Sequence, residues 1–227
     1  MSNGIEVSTK DCTALTDAEL AEMADLSTAS RAAAFEIGFL SKQREEWVLV
    51  THAREDGKLR GYAMSTLERI GGTPSLLVGL ACFTHTRCAN AAIDAVMHDL
   101  YRRAVLAFPD EDVLVGTRFA HPSAYRAFVG LEDIVPRPEH KASGEERAWG
   151  RRLAKRFGAD GRLDDRTFVI AGDDNSAGLL DFEPTREPKE ATSFAVGFPQ
   201  LSASRRDTLV AFGWAMAEAL AAGTLPK

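Results

Sequence analysis

The first third of the chain shows apolar positions that recur with two different periods. Residues 5–9 alternate weakly and predict a short strand. Thr16 is followed by acidic residues in the next turn, which predicts a helix beginning there and ending near Leu26. A second helix is predicted over residues 30–40. The chain therefore begins with one strand and two helices.

A pattern of strands and tight turns follows. Residues 47–51 predict a strand, Asp56-Gly57 is a strong hairpin signal, and residues 59–70 predict the returning strand. Gly71-Gly72-Thr73-Pro74 makes a second turn into the apolar run 75–83, which is typical of a buried central strand. These three strands are predicted to form an antiparallel meander.

The period then becomes helical. Apolar residues between 91 and 108 recur at helical spacing, and Pro109 ends this helix. The strand predicted over 112–119 comes next, so strand, helix and strand make a right-handed crossover with the two strands parallel. A short helix from Pro122 to about Gly130 and a strand that starts at Ile134 complete this part.

The remaining chain has a less regular pattern. It predicts a charged linker over residues 139–149 that leads into a helix over 145–157. A strand over 166–171, a long acidic loop over 172–189, a second strand over 193–198 and a final helix over 202–222 follow. We therefore expect residues 1–138 to form one domain and residues 139–227 to form a C-terminal helical extension. The extension is expected to pack on that domain or on a partner subunit, and its aromatic residues Trp149, Phe157 and Trp214 favour such packing. Alternatively, the extension or the acidic loop from Asp173 to Glu190 forms part of a substrate pocket, where its acidity would suit an amine-bearing molecule.

Composition and charge narrow the function classes. Hydrophobic residues make up 45% and charged residues 26% of the 227, which excludes wholesale disorder. With 27 Lys and Arg against 33 Asp and Glu, the net charge of −6 gives no basic footprint for nucleic acid. The apolar runs are too short to cross a bilayer and Met1-Ser-Asn-Gly does not resemble a signal peptide, so a cytoplasmic location without membrane contact is expected.

The cysteines and histidines do not suggest a metal or disulfide framework. Cys12, Cys82 and Cys88 form no paired motif, and the histidines stand at no metal-ligand spacing, so no metal is predicted. Cys82 lies in an apolar run and is interpreted as a core residue. One basic cluster is either a solvated helix face or a contact for an anionic ligand; its members are Arg147, Arg151, Arg152, Lys155 and Arg156.

The order of predicted elements resembles that of the GCN5-related N-acetyltransferase (GNAT) superfamily over about residues 5–138. The segment His121-Pro-Ser-Ala-Tyr-Arg-Ala-Phe-Val-Gly-Leu131 is similar to the superfamily's Asn-Pro-x-Ala-x-x-x-Tyr-x-x-x-Gly helix. The resemblance implies an α+β fold with a mixed, mostly antiparallel sheet that is flanked by helices. It also implies a splay between the fourth and fifth strands, which we place beside Gly79 because glycine inside a buried strand often marks a bulge or a close approach.

The resemblance also implies a cofactor site. In the superfamily, the turn after the central strand carries Gln/Arg-x-x-Gly-x-Gly/Ala, and its backbone amides hold the pyrophosphate of coenzyme A. The corresponding stretch is Arg87-Cys-Ala-Asn-Ala-Ala92, in which Arg87 and Ala92 fit the pattern and Asn90 replaces the middle glycine. The resemblance implies acyl-CoA or acetyl-CoA as the cosubstrate, and a helix N-terminus is a favourable place for its phosphate groups. The implied cofactor-binding residues are Arg87, Cys88, Ala89, Asn90, Ala91 and Ala92.

Transfer of an acyl group to an amine needs removal of a proton from the amine, a task for a positioned side chain or a water path. His85 and His121 follow adjacent parallel strands and are expected to meet at the mouth of the splay. Alternatively, His121 caps the following helix and His85 is merely exposed. Glu68 is a further candidate base. Tyr125 is a candidate acid, one turn before the position where the superfamily places its Tyr and this chain has Phe128.

Two functions remain open from the sequence. The first is a GNAT-like acyltransferase that moves an acyl group from a coenzyme A thioester to an amine of a small molecule. The second is a GNAT-fold protein with an altered coenzyme A site that does other chemistry or only binds a small ligand. The substitutions at Asn90 and Phe128 favour the second function, whereas the strand order and Arg87 favour the first.

Overall fold

The computed structural model describes residues 4–28, 35–172, 179–186, 193–196 and 198–226. Within these ranges the chain forms ten strands, namely β1 (Glu6–Asp11), β2 (Leu49–Glu55), β3 (Lys58–Ile70), β4 (Thr73–Phe83), β5 (Val113–Phe119), β6 (Glu132–Val135), β7 (Leu163–Asp164), β8 (Val169–Ile170), β9 (Leu180–Asp181) and β10 (Thr208–Ala215). The α-helices are α1 (Asp17–Thr28), α2 (Ile37–Glu46), α3 (Ala89–Ala107), α4 (Gly144–Arg156) and α5 (Ala217–Ala221). A 3-10 helix covers Pro122–Phe128.

One sheet holds all ten strands, and its order is β1-β2-β3-β4-β5-β10-β8-β7. β6 pairs with β10, and β9 pairs with β4. The β4–β5 and β4–β9 pairs are parallel, whereas the other pairs are antiparallel. The predicted α+β class, the meander β2-β3-β4 and the parallel crossover through α3 are confirmed.

The helices cover both faces of the sheet. On β1 the hydroxyl of Thr9 donates to the carboxylate of Asp99 in α3, at 2.6 Å. On β2 the guanidinium of Arg54 binds the carboxylate of Glu22 in α1. Thr9 also bonds Thr51 on β2, and residues 51 and 54 of one strand point to opposite faces. α1 and α3 therefore lie on opposite sides of the sheet.

Gly79 is a β-bulge in the central strand. The register of β3 and β4 shifts between the pairs Met64↔Leu80 and Ser65↔Val78, so Gly79 has no opposite residue. A Cβ atom on Gly79 would lie 1.8 Å from the ring of Trp47, which packs directly on the backbone. A bulge or a close backbone approach was predicted at Gly79, and the structure has both. β4 stops pairing with β5 directly before the bulge, at Val78.

The second part of the chain differs from the prediction. The helix predicted over residues 202–222 is wrong: residues 208–215 form strand β10, which lies between β5 and β8, and the helix α5 is short. In the first part of the chain, α2 begins at Ile37; the start predicted at residue 30 lies within residues 29–34, outside the described residues. The sheet therefore continues across residue 138, and the C-terminal segment supplies one of its inner strands.

The aromatic residues of this segment contribute to the same core. Trp149 and Trp214 meet edge to face with ring centroids 6.3 Å apart, and Phe157 lies 6.1 Å from Trp47. Through these contacts α4 packs on β10 and on the end of α2. None of the helices in the described ranges is long and apolar enough to cross a membrane.

Candidate functional site

The sheet splays where β4 and β5 separate. Their pairing ends at Val78 and Thr117, and the last four residues of β4 turn away from β5. The backbone groups of a buried strand need hydrogen-bond partners. These partners come from the acidic loop of the chain, because β9 pairs with residues 81 and 82 in parallel and the Ala81 amide donates to the Leu179 carbonyl at 3.0 Å.

The residues that follow β9 meet both predicted histidines. The His85 Nδ1 atom contacts the carbonyl oxygen of Glu183, and the His121 Nε2 atom lies 3.6 Å from the Glu183 carboxylate. His121 also caps the 3-10 helix, because its Nδ1 accepts from the amide of Ser123 at 3.2 Å. The structure thus brings His85 and His121 together, and the residue that joins them is Glu183.

Asp181 lies in the floor of the groove with only 4% of its surface exposed. Burial, together with the nearby Glu183 carboxylate, raises the pKa of its carboxyl from 3.8 to about 7. The Cys82 thiol lies 3.9 Å from this carboxyl. Burial also raises the pKa of Tyr62 well above its ordinary value, and among the described residues its hydroxyl has no hydrogen-bond partner.

The start of α3 carries the stretch predicted to hold phosphate. Its first intrahelical bond runs from the Ala92 amide to the Cys88 carbonyl, so the amides of Asn90 and Ala91 point out of the helix end. Arg87 is exposed there, whereas Ala89 is buried. The side-chain oxygen of Asn90 is buried and has no hydrogen-bond partner among the described residues. This oxygen is a hydrogen-bond acceptor and adds no donor for phosphate.

The residues present do not fit a coenzyme A thioester in this conformation. The groove between β4 and β5 is filled by residues 179–183, and the β4 amide of Ala81 is already paired with that segment. Asn90 adds a buried acceptor at the helix end. The expected splay therefore exists in the sheet, but a segment of the same chain occupies the groove that it opens.

Tyr125 and Phe128 are structural residues in this arrangement. The Tyr125 hydroxyl donates to the Pro136 carbonyl at 2.8 Å, and its ring stacks on Phe194 with centroids 4.1 Å apart. Phe128 is 1% exposed and packs against Phe119. The structure places neither side chain at the mouth of the groove.

A second depression, of about 400 Å³, lies on the face of the sheet where α2 and α4 end. We call it the front cleft; it is lined by Gln43, Glu46, Trp47, Gly79, Arg118, Lys155, Arg156, Phe157 and Gly158. Arg118 projects from β5 on the same side as Gly116, which packs against Leu153 of α4. Its side chain is 1% exposed, although it carries a permanent charge.

The walls of the front cleft are held in place by specific contacts. The Arg156 guanidinium donates to the Glu68 carboxylate at 2.7 Å and lies over the Trp47 ring, 4.8 Å from its centroid. The Trp47 indole nitrogen donates to Gln43 at 3.1 Å. Glu68, predicted as a candidate base, is thus an ion-pair partner behind the cleft. The basic cluster divides, since Lys155 and Arg156 reach the cleft while Arg151 pairs with Asp165.

Several important residues were missing from the sequence prediction. Asp181 and Glu183 lie in a stretch that carries only the signal of an acidic loop. Arg118 stands inside an apolar strand, and a permanently charged residue at a strand position predicted to be buried is a signal that could have identified it. Trp47 was assigned to the start of a strand, whereas it ends α2 and covers Gly79.

No protein-family model matches the sequence, and no curated protein is similar to it. Among solved structures, the chain is similar to the ribosomal-protein-S18-alanine N-acetyltransferase from Escherichia coli. The two share 11% identity with a TM-score of 0.39, over 62% of this chain and 86% of that one.

Two further structures are similar over comparable lengths. An aminoglycoside 6'-acetyltransferase type Ii shares 14% identity with a TM-score of 0.41, over 59% of this chain and 88% of its own. A GNAT family acetyltransferase from Brucella melitensis, solved with acetyl-CoA, shares 15% identity with a TM-score of 0.38, over 56% and 83%. The strand order and pairing described above agree with the GNAT-like arrangement expected from the sequence.

Proposed function

We propose that this protein is a GNAT-fold protein that binds a small anionic molecule, with a carboxylate or phosphate group, in the front cleft. The observation that carries the proposal is the grouping of three cationic side chains, Arg118, Lys155 and Arg156, in one cleft. A guanidinium offers a planar fork of donors that suits carboxylate and phosphate.

The charges around the front cleft favour the same ligand class. Three cationic side chains, Arg118, Lys155 and Arg156, line it together with the single carboxylate of Glu46. Glu68 neutralises Arg156 and, with the ring of Trp47, holds it in place. Cationic side chains thus lie beside an aromatic wall in the cleft, an arrangement that suits a small molecule with an anionic group and an apolar part.

The test is a calorimetric titration of the full chain with benzoate and with benzamide, a neutral probe of the same shape, and separately with inorganic phosphate. Benzoate is expected to bind about tenfold more tightly than benzamide, since a hydrogen bond to a charged group contributes about 1.5–3 kcal/mol. Equal affinity for the two aromatic probes, or no binding of either anion, would contradict the proposal.

Variants locate the binding to the front cleft. Arg118→Gln should abolish the preference for benzoate, and Lys155→Ala should reduce it. Lys155 is exposed, so its removal leaves the core unchanged. Arg152→Ala is the matched control, because Arg152 belongs to the same helix but lies over Trp149, outside the cleft. A loss of preference in the Arg152 variant equal to that in the Lys155 variant would mean that only the general charge of α4 matters.

A second candidate is acyl transfer from a coenzyme A thioester to the amine of a small molecule. The observations that favour it are the outward amides at the start of α3 and the two histidines at the mouth of the groove. Its test is incubation of the protein with acetyl-CoA and a panel of amines, with detection of free thiol. Loss of turnover in His85→Ala or His121→Ala, with unchanged thioester affinity, would support a role in proton removal.

A further inference from the structure

The C-terminal segment packs against one side of α3 and leaves a depression there. α5 contacts α3, and the His98 Nδ1 atom lies 3.0 Å from the carbonyl oxygen of Leu225. The depression has a volume of about 260 Å³, and we call it the C-terminal pocket. It shares no lining residue with the front cleft. Its walls include Tyr101, Val105 and Leu106 of α3 and Leu220, Ala221 and Leu225 of the C-terminal segment.

The walls of the C-terminal pocket are mostly apolar. Val105 and Leu106 of α3 line it together with Leu220 of α5. The Tyr101 hydroxyl is used elsewhere, because it donates to the Ala127 carbonyl at 3.0 Å. Leu106 is 80% exposed, so a large apolar side chain faces water at this place. A molecule that covers these walls is favoured because it removes apolar surface from water.

The charged groups beside the pocket leave an excess of positive charge. The Arg102 guanidinium donates to the Asp99 carboxylate at 2.9 Å, and the Arg103 guanidinium donates to the same carboxylate at 2.7 Å. One carboxylate therefore serves two guanidiniums. The Arg102 side chain lines the pocket and is 68% exposed. None of the described residues that line the pocket is acidic, and Glu218 of α5 lies outside the lining.

We propose that the C-terminal pocket binds an aliphatic carboxylate of medium chain length, with its chain along Val105, Leu106 and Leu220 and its carboxylate on Arg102. The guanidinium favours a carboxylate head because it offers a planar fork of donors. A concave site with apolar walls and few polar groups is typical of small-molecule binding. The inference is independent of ligand binding in the front cleft, because the two sites have no residue in common.

The experiment follows the amide signals of the full, isotope-labelled chain by two-dimensional NMR during titration with hexanoate, octanoate and octanamide. We expect the amides of Leu106 and Ala221 to shift. Octanoate should bind about tenfold more tightly than hexanoate, since two more methylene groups leave water. Octanamide has the same shape without the charge and should bind about threefold to fivefold more weakly than octanoate, the scale of one exposed ion pair.

Two matched pairs of variants locate the ligand. Leu106→Ser should weaken octanoate binding by about fivefold or more, whereas Ala107→Ser changes the next exposed position of α3, outside the pocket, and should have no effect. Arg102→Gln should abolish the preference for octanoate over octanamide. Arg103→Gln removes the same charge outside the pocket and should keep that preference. Leu106 and Arg102 are exposed, so both variants leave the core unchanged.

Three results would overturn the inference. The first is an equal effect of the two members of either pair, which would mean that the pocket does not contact the ligand. The second is equal affinity for octanoate and octanamide, or shifts confined to the front cleft. The third is a dimer in sedimentation of the unmodified chain that Leu106→Ser dissociates, because a second copy would then cover the pocket. None of these results changes the expected preference for benzoate over benzamide in the front cleft.

Discussion

Replacing Asp181 by Asn should stabilise the protein increasingly as the pH rises. The Asp181 carboxyl is 4% exposed, and burial together with Glu183 raises its pKa from 3.8 to about 7. A difference of about 3 pKa units corresponds to about 4 kcal/mol. This is the upper limit of what ionisation of Asp181 costs the folded state, and asparagine avoids it because its side chain cannot ionise.

The sign follows from the two pKa values. In the unfolded chain the carboxyl ionises near 3.8, whereas in the folded protein it keeps its proton until the pH reaches about 7. The unfolded state therefore binds fewer protons between these values, and the stability of the native state falls as the pH rises through this window. Above pH 7 the cost is complete. The gain from Asp181→Asn should grow by about 2–3 kcal/mol between pH 5 and pH 8.

Urea unfolding at pH 5 and at pH 8, followed by far-UV circular dichroism, measures this gain. Other titratable groups near the carboxyl are Glu183, Cys82, Tyr62 and His85, so each variant is compared with the unmodified protein at the same pH. A gain that is equal at the two pH values, or a loss at pH 8, would refute the reasoning. A loss at pH 8 would show that the ionised Asp181 carboxylate is stabilised in the groove.

Asp207→Asn is a control for which we expect the opposite change in stability. Its carboxylate accepts from Arg205 and from the amides of Gly172 and Ser202, and the Arg205 hydrogen bond is the main cause that lowers its pKa. A lowered pKa means that ionisation of Asp207 stabilises the fold at neutral pH, and this stabilisation is lost as the pH falls through the native pKa. Asp207→Asn should therefore destabilise the protein at pH 8, where Asp181→Asn stabilises it.

Three further substitutions test the packing around the site. Gly79→Ala places a methyl group 1.8 Å from the Trp47 ring. We therefore expect the free energy of unfolding in urea to fall by about 2 kcal/mol or more, and tryptophan emission to shift. Unchanged emission would show that the ring does not cover the bulge. Tyr125→Phe removes the bond to the Pro136 carbonyl and should cost about 1 kcal/mol without affecting benzoate affinity; a change in affinity would place the hydroxyl at the ligand. Ser143→Ala breaks a capping box at the start of α4 and should cost about 1 kcal/mol in thermal unfolding; no loss would show that the cap is not formed in solution.

The local patterns of the sequence determined the first two thirds of the fold. Apolar alternation on either side of Asp56-Gly57 and of the second turn specifies the meander, and helical spacing before Pro109 specifies α3. These elements were predictable because their periods differ and their turns have strong local signals. The position of Gly79 inside an apolar run was enough to predict a bulge or close approach.

The last third was decided by tertiary contacts. Residues 208–215 are rich in alanine and apolar side chains, and their pattern was interpreted as part of a helix, yet they form an inner strand because β5 and β6 offer unpaired edges. Tertiary pairing overrides local propensity in such segments. The proposed boundary at residue 138 did not anticipate that the sheet draws a strand from the C-terminal segment.

The candidate site shows the same division. That His85 and His121 meet could be predicted, since both follow strands that the crossover rule places side by side. That Glu183 joins them, and that Asp181 is buried beneath, could not be predicted, because the groove exists only once β4 and β5 have separated at Gly79. The sequence by itself determined which strands border the groove, whereas the tertiary structure decided what fills it, since a short acidic segment carries no local signal of its partner.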